Sequence, residues 1–323
     1  MKKMLKPARV AGLLVVLCLF LAWPAWAAAA GDQLPSWQGP VKAQLMEYIQ
    51  AVTTPGGKDF IPPSERIAAF DLDGTVMAER PMPFVMELSV VWLKANCTAF
   101  SQRGPKEKAL CRAAAKGDPK QMRRKIDDLL TLPFLGMELD AYRALALKVF
   151  ETYVNPLKKM PVKDMIYAPQ LELIELLNAK GFQVWLCSGS AISAMQAISA
   201  KHLGVPPERC IGTRFQVQVG ENQGRLSFKR GAIQAGLLNL AEVKAANLKL
   251  ATVNGPVLAF GNSSGDIWML KFAADSHRRG LALVLDHDDP REFVYAKPEL
   301  LDLAKQRGWT VVSMKKAWSK VFR

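Results

Sequence analysis

Histidine and cysteine are scarce. The 323 residues include three histidines, His202, His277 and His287, scattered in the sequence, and five cysteines with no C-x-x-C pair. Neither a histidine metal cluster nor a cysteine zinc site is indicated. Acids are outnumbered, 29 Asp and Glu against 43 Lys and Arg. No low-complexity tract or internal repeat occurs. The positive charge comes without a nucleic-acid-binding module, which argues against a nucleic-acid partner. It favours anionic small molecules, or else is a plain solvated surface. Ten Lys and Arg lie between Lys94 and Lys125, against only Glu107 and Asp118.

The one long apolar run, Val10 to Trp23, is too short for a comfortable membrane span. Lys2, Lys3, Lys6 and Arg9 precede it; Pro24 and the small residues around Ala25-Trp26-Ala27 follow. That is the pattern of a secretory signal peptide over residues 1–30, with cleavage expected near Ala27 to Ala30. It predicts a secreted or periplasmic protein with no stable membrane anchor once cleaved. Leu17 is too large for lipid attachment at Cys18. In an oxidising compartment Cys97 and Cys111 are the better candidate pair for a disulfide, and Cys187 reads as an inert buried thiol.

Ile67 to Phe70 is a short apolar run bounded by Pro62-Pro63-Ser64 and Gly74, which reads as a buried strand ending in a turn. Asp71 and Asp73 follow it and face the same way, while Leu72 faces the core. Two converging carboxylates repel unless a cation sits between them. A hard divalent ion with oxygen ligands, Mg²⁺ above all, suits such a pair.

The chain after this strand changes character twice. Met86–Ala99, Lys106–Lys116, Pro119–Leu132 and Leu139–Val154 have helical spacing, and their connections carry Gly and Pro. Beyond Tyr167, strands and helices alternate: helix 169–180, strand 182–187, helix 191–202, a strand from Cys210 turning into a hairpin at 220–224, helix 229–246, strand 257–260, helix 266–274, strand 281–285, helix 298–307 and strand 310–312. The expected fold is α/β, a doubly wound, mostly parallel sheet with an inserted all-helical cap subdomain. The core spans 31–79 and 168–323, and the cap spans 80–167.

Ligands in such sheets bind beyond the carboxyl ends of the strands. Three strand ends carry polar groups: Asp71 and Asp73; Ser188-Gly189-Ser190; and Gly261-Asn262-Ser263-Ser264-Gly265-Asp266. Lys229 lies between the last two in sequence. Asp286, His287, Asp288 and Asp289 follow a fourth strand, lie on the same face by that rule, and read as a solvated loop, with an outer role near the metal as the alternative.

In this order the residues resemble the haloacid dehalogenase superfamily, in its phosphoserine phosphatase-like members with a C1-type cap. Asp71-Leu72-Asp73-Gly74-Thr75 matches that family's first motif, Ser188 the second, Lys229 the third and 261–266 the fourth. The resemblance implies an Mg²⁺-dependent phosphomonoester hydrolase working on a small phosphorylated metabolite through an aspartyl-phosphate. Asp71 would be the nucleophile and Asp73 the acid/base. Ser188, Gly189 and Lys229, with Arg230 as the alternative, would hold phosphate. Asp71, Asp73 through its carbonyl, Asn262 and Asp266 would bind metal. Glu79 would touch substrate. The fourth motif commonly has an acid where this chain has Asn262, which lowers the charge offered to a metal. The same residues also suit a phosphotransferase or phosphomutase, or a non-catalytic binder of phosphorylated ligands.

Overall fold

Short apolar runs become the strands of the main sheet. In the computed structural model, which describes residues 32–233 and 238–323, they are β1 (Ile67–Phe70), β2 (Gln183–Ala191) and β3 (Cys210–Thr213). A separate hairpin follows, β4 (Phe215–Asn222) and β5 (Arg225–Ile233), before β6 (Leu258–Gly261), β7 (Leu281–Asp286) and β8 (Thr310–Ser313) rejoin the sheet. The leader read at 1–30 lies outside the described residues.

The six sheet strands run in the order β3-β2-β1-β6-β7-β8, and every pairing is parallel. Ala68 and Phe70 of β1 pack into one apolar layer and Ala69 into the other; Leu258, Phe260 and Ala259 of β6 divide the same way. Both faces are buried, so these strands read as unbroken apolar runs rather than alternating ones. From β1 the chain moves outward through β2 to β3, then returns to the opposite side of β1 at β6. That reversal opens a crevice at the carboxyl ends of β1 and β6, the usual ligand position in an open α/β sheet.

Helix α1 (Gly39–Thr53) precedes the sheet. Between β1 and β2 come α2 (Phe84–Phe100), α3 (Pro105–Lys116), α4 (Pro119–Arg123), α5 (Ile126–Thr131) and α6 (Leu139–Thr152). The helix expected over 119–132 is interrupted at Arg124 and Lys125. A disulfide joins Cys97 of α2 to Cys111 of α3 across 14 positions. The sheet is flanked by α7 (Ala168–Ala179), α8 (Ile192–Leu203), α9 (Glu242–Thr252), α10 (Ile267–Ala274) and α11 (Pro298–Gln306).

One expected element is corrected. No helix begins at Lys229. Strand β5 continues to Ile233, and α9 starts at Glu242. The cause is tertiary. Arg230 donates its N–H to the Met137 carbonyl (2.8 Å), and the Gly136 N–H donates to the Arg230 carbonyl (2.7 Å). Pairing with β4, where Gln218 faces Lys229 and Val217 faces Arg230, and these bonds to the helical segment hold residues 229 and 230 extended.

Arg230 is 1 % exposed. Its guanidinium lies 3.5 Å from the Phe215 ring centroid, 4.5 Å from Tyr142 and 5.4 Å from Phe134. Nη1 and Nη2 have no hydrogen-bond partner, so the aromatic faces are their surroundings. Burial pushes the guanidinium down to about 10, against the opposing effect of Tyr142.

Candidate active site

After β1 the chain turns sharply. The Leu72 carbonyl accepts from the N–H groups of Thr75, Val76 and Met77. Gly74, at φ +82°, permits the turn, and a Cβ there would meet Asn262 Nδ2 at 2.0 Å. Asp71 and Asp73 emerge on one side, both buried, while Leu72 joins the core. Together with Glu79, Ser188, Gly189, Ser190, Lys244 and Ser263 they line a cavity of ≈ 180 Å³. The expected first and second strand ends thus meet.

Lys244, on α9, completes the cluster. Its Nζ donates to Asp71 Oδ1 at 2.6 Å and to Asp266 Oδ1 at 2.5 Å. Burial alone would lower its pKa, but Asp266 and Asp71 outweigh that and hold the ammonium charged, with a net shift upward. Burial and the Asp266 charge push Asp71 up to about 7, with Lys244 opposing them. Asp73 is also shifted up by burial, partly offset by the Ser190 hydroxyl, which donates to Oδ2 (2.5 Å), and the Phe84 N–H, which donates to Oδ1 (3.1 Å).

Lys229 is exposed on β5 and is not among the residues lining the cavity. Arg230 is enclosed by aromatic rings and does not line it either. The structure therefore puts Lys244 where the sequence suggested Lys229. In sequence Lys244 is one lysine among many, and only the packing of α9 against β2 and β3 distinguishes it.

Asp266 is committed to protein partners. Oδ1 holds Lys244, and Oδ2 accepts from the Asn262 N–H (3.1 Å) and from the N–H and hydroxyl of Ser263 (both 2.9 Å). It anchors the 261–266 loop and Lys244 rather than opening toward a cation. Asn262 is buried, and Thr75 Oγ lies 3.3 Å from its Oδ1 and 3.5 Å from Asp71 Oδ2. One carboxylate oxygen and one amide oxygen thus converge beside a single hydroxyl. Among the described residues no group of three His, Cys, Asp or Glu side chains forms a metal cage. The donor set is all hard oxygen, which fits Mg²⁺, with a single carboxylate in it.

Behind Asn262 is a buried polar network that the sequence did not reveal. His287, read there as part of a solvated loop, is 2 % exposed. Its Nε2 lies 2.9 Å from the Gly74 carbonyl and 3.3 Å from Asn262 Nδ2, and its Nδ1 lies 3.2 Å from Glu292. Glu79 Oε1 accepts from Asn262 Nδ2 (3.3 Å) and Lys297 Nζ (3.2 Å). Glu79 therefore does line the cavity, but as a member of this network. Burial pushes the Cys187 thiol, beneath Lys244, up to about 12, as an inert core cysteine would be.

Among solved structures, a conserved protein of unknown function from Anaerococcus prevotii superposes with a TM-score of 0.57 at 13 % identity, covering 86 % of this chain and 92 % of its own. A protein of unknown function from Bordetella pertussis gives 0.45 at 17 % identity, covering 76 % and 97 %. A phosphoserine phosphohydrolase-like protein from Francisella tularensis gives 0.41 at 17 %, covering 76 % and 94 %. Among the curated proteins compared, none matches. A family model described as haloacid dehalogenase-like hydrolase matches residues 68–271, more than half of the chain, running from within β1 into α10. With two strand-end aspartates, a serine loop and a buried lysine gathered at one crevice of a parallel sheet, this chain belongs to the haloacid dehalogenase-like hydrolase family.

Proposed function

We propose that this protein is an exported, Mg²⁺-dependent phosphomonoester hydrolase that works through an aspartyl-phosphate on Asp71. The observation that carries the reading is the pairing of two differently supported carboxylates. Asp71 is held by the Lys244 ammonium, and Asp73 by the Ser190 hydroxyl and the Phe84 N–H.

Asp71 attacks phosphorus, forming an O–P bond as the ester's P–O bond to the alcohol breaks. Asp73 gives its proton to the departing alcohol oxygen, then takes one from the water that hydrolyses the aspartyl-phosphate. Its upward shift favours the protonated form needed first. Ser188, the Gly189 N–H and Lys244 face the phosphoryl oxygens and balance their charge. Mg²⁺ on Asp71, the Asp73 carbonyl and Asn262 would supply the positive charge that lets an anionic ester approach a carboxylate. Residues 80–167 act as the cap. The leader pattern at 1–30 and the Cys97–Cys111 disulfide support an oxidising, extracytoplasmic location.

The test is phosphate release from an aryl phosphate with Mg²⁺, with and without chelator, by the wild type and by Asp71→Asn. Acid-quenched wild type should carry phosphate on Asp71 by mass spectrometry. Robust turnover by Asp71→Asn overturns the nucleophile assignment.

A further inference from the structure

We infer that the alcohol half of the substrate is small and apolar, an aryl or short alkyl group rather than an amino acid or a sugar. This rests on the phosphatase reading above. The floor of the cavity is polar and matches a phosphoryl group. The walls are not. Val85 and Met86 come from the first turn of α2, Ile126 and Leu130 from one face of α5, and Leu240 from the segment before α9.

Leu240 stands directly over the phosphate loop. A Cβ on Gly189 would meet its Cδ2 at 2.7 Å. It is also 46 % exposed, so it forms the rim that a leaving group must cross.

The charged groups that line this cavity are few. Asp71, Asp73 and Lys244 belong to the floor, and Lys244 is already paired twice. Glu79 is engaged by Lys297 and Asn262. The lining has no arginine, and Lys244 is its only cation among the described residues. A substrate carboxylate, as in O-phosphoserine, would meet no free counter-charge. Sugar hydroxyls would lose water against Met86, Leu130 and Leu240 and gain no donors or acceptors. The likeness to phosphoserine phosphatases therefore stops at the catalytic floor. The ≈ 180 Å³ has to hold the phosphoryl group on the polar floor as well, which leaves room for only a small leaving group.

The experiment compares kcat/KM for phenyl phosphate and butyl phosphate with that for O-phosphoserine, glycerol 3-phosphate and glucose 6-phosphate, at fixed Mg²⁺, on the mature chain. The apolar esters should lead by at least ~10-fold, since an apolar pocket rejects an added hydroxyl by up to about 10²-fold. Leu240→Gln, at an exposed rim position where folding is not at risk, should narrow the ratio. Equal or faster turnover of the polar esters overturns the inference and leaves the phosphatase reading standing. Absence of phosphate release from every ester overturns both.

Discussion

Lys244 Nζ lies 2.6 Å from Oδ1 of Asp71 and bridges it to Asp266, although 173 residues separate the first pair in sequence. Both carboxylates and the ammonium are buried. Removing the cation from such a cluster leaves two uncompensated charges. Lys244→Met is expected to lose about 3–5 kcal/mol of stability and at least ~10²-fold in kcat. Lys229→Ala, on the exposed face of the hairpin, should stay within about 0.5 kcal/mol of wild type and keep its turnover. Denaturant melts and phosphate release on the two variants decide which lysine serves the site.

The Ser190 hydroxyl donates a hydrogen bond to Asp73 Oδ2. Hydrogen bonds to charged groups contribute about 1.5–3 kcal/mol, so Ser190→Ala should lower kcat by roughly 10–100-fold. Burial already raises the Asp73 pKa, and the hydroxyl works against that rise. Without it Asp73 keeps its proton to higher pH. The alkaline limb of the kcat/KM profile, where Asp73 loses the proton it has to give, should move upward, and an unmoved limb would rule out Asp73 as the group that sets it.

Glu87 on α2 is buried, and burial and then the Asp73 charge push its carboxyl up to about 8. Its folded pKa therefore lies above the unfolded one, near 4.5. Between these values the folded protein binds more protons, so the stabilisation is complete below about pH 4.5 and is lost as pH rises toward 8. Glu87→Gln removes the ionisation. Its Tm relative to wild type should climb between pH 5 and pH 8, and a flat difference would contradict the assignment.

Reducing the Cys97–Cys111 bridge frees the α2–α3 hairpin. For a closed loop of about this length the chain-entropy account gives roughly 3 kcal/mol. Scanning calorimetry with and without dithiothreitol, and on the Cys97→Ser/Cys111→Ser variant, should show a lower Tm in both cases. Equal melts would mean that the bridge does not form in solution.

Asn262 tests the cation site without recourse to turnover. Asn262→Asp adds a negative charge where the amide now faces Glu79 and sits beside Asp71. The metal-free variant should melt below wild type, and Mg²⁺ should raise its Tm by more than it raises that of wild type. Identical Mg²⁺-induced shifts would place the ion elsewhere.

The strand ends could be read in the chain because their chemistry is local. Apolar residues stop, and Asp71, Ser188 or Asn262 begins within one or two positions. Lys244 could not be read, because its neighbours Val243 and Ala245 differ little from those of any amphipathic helix. Its place comes from how α9 packs against β2 and β3. Lys229 looked suitable because the strand that carries it is held extended by β4 together with residues 136–138, the latter roughly ninety positions earlier. His287 was hidden for a different reason. It sits in the acidic run 286–289, which resembles a solvated turn until Glu292 and Tyr295 fold back over it.

The β4–β5 hairpin has a bearing on how members of such a family exchange parts. It enters the chain after β3, yet its backbone is stitched to the segment inserted after β1 through Gly136, Met137 and Arg230. The inserted helices that wall the site are thus braced by a second, separate interruption of the sheet. Grafting residues 80–167 alone onto another scaffold would leave Phe134 and Tyr142 without Arg230 and the Met137 carbonyl without its donor. A transplant of specificity has to carry both interruptions together, and the second of them leads directly into the segment that delivers Leu240 and Lys244.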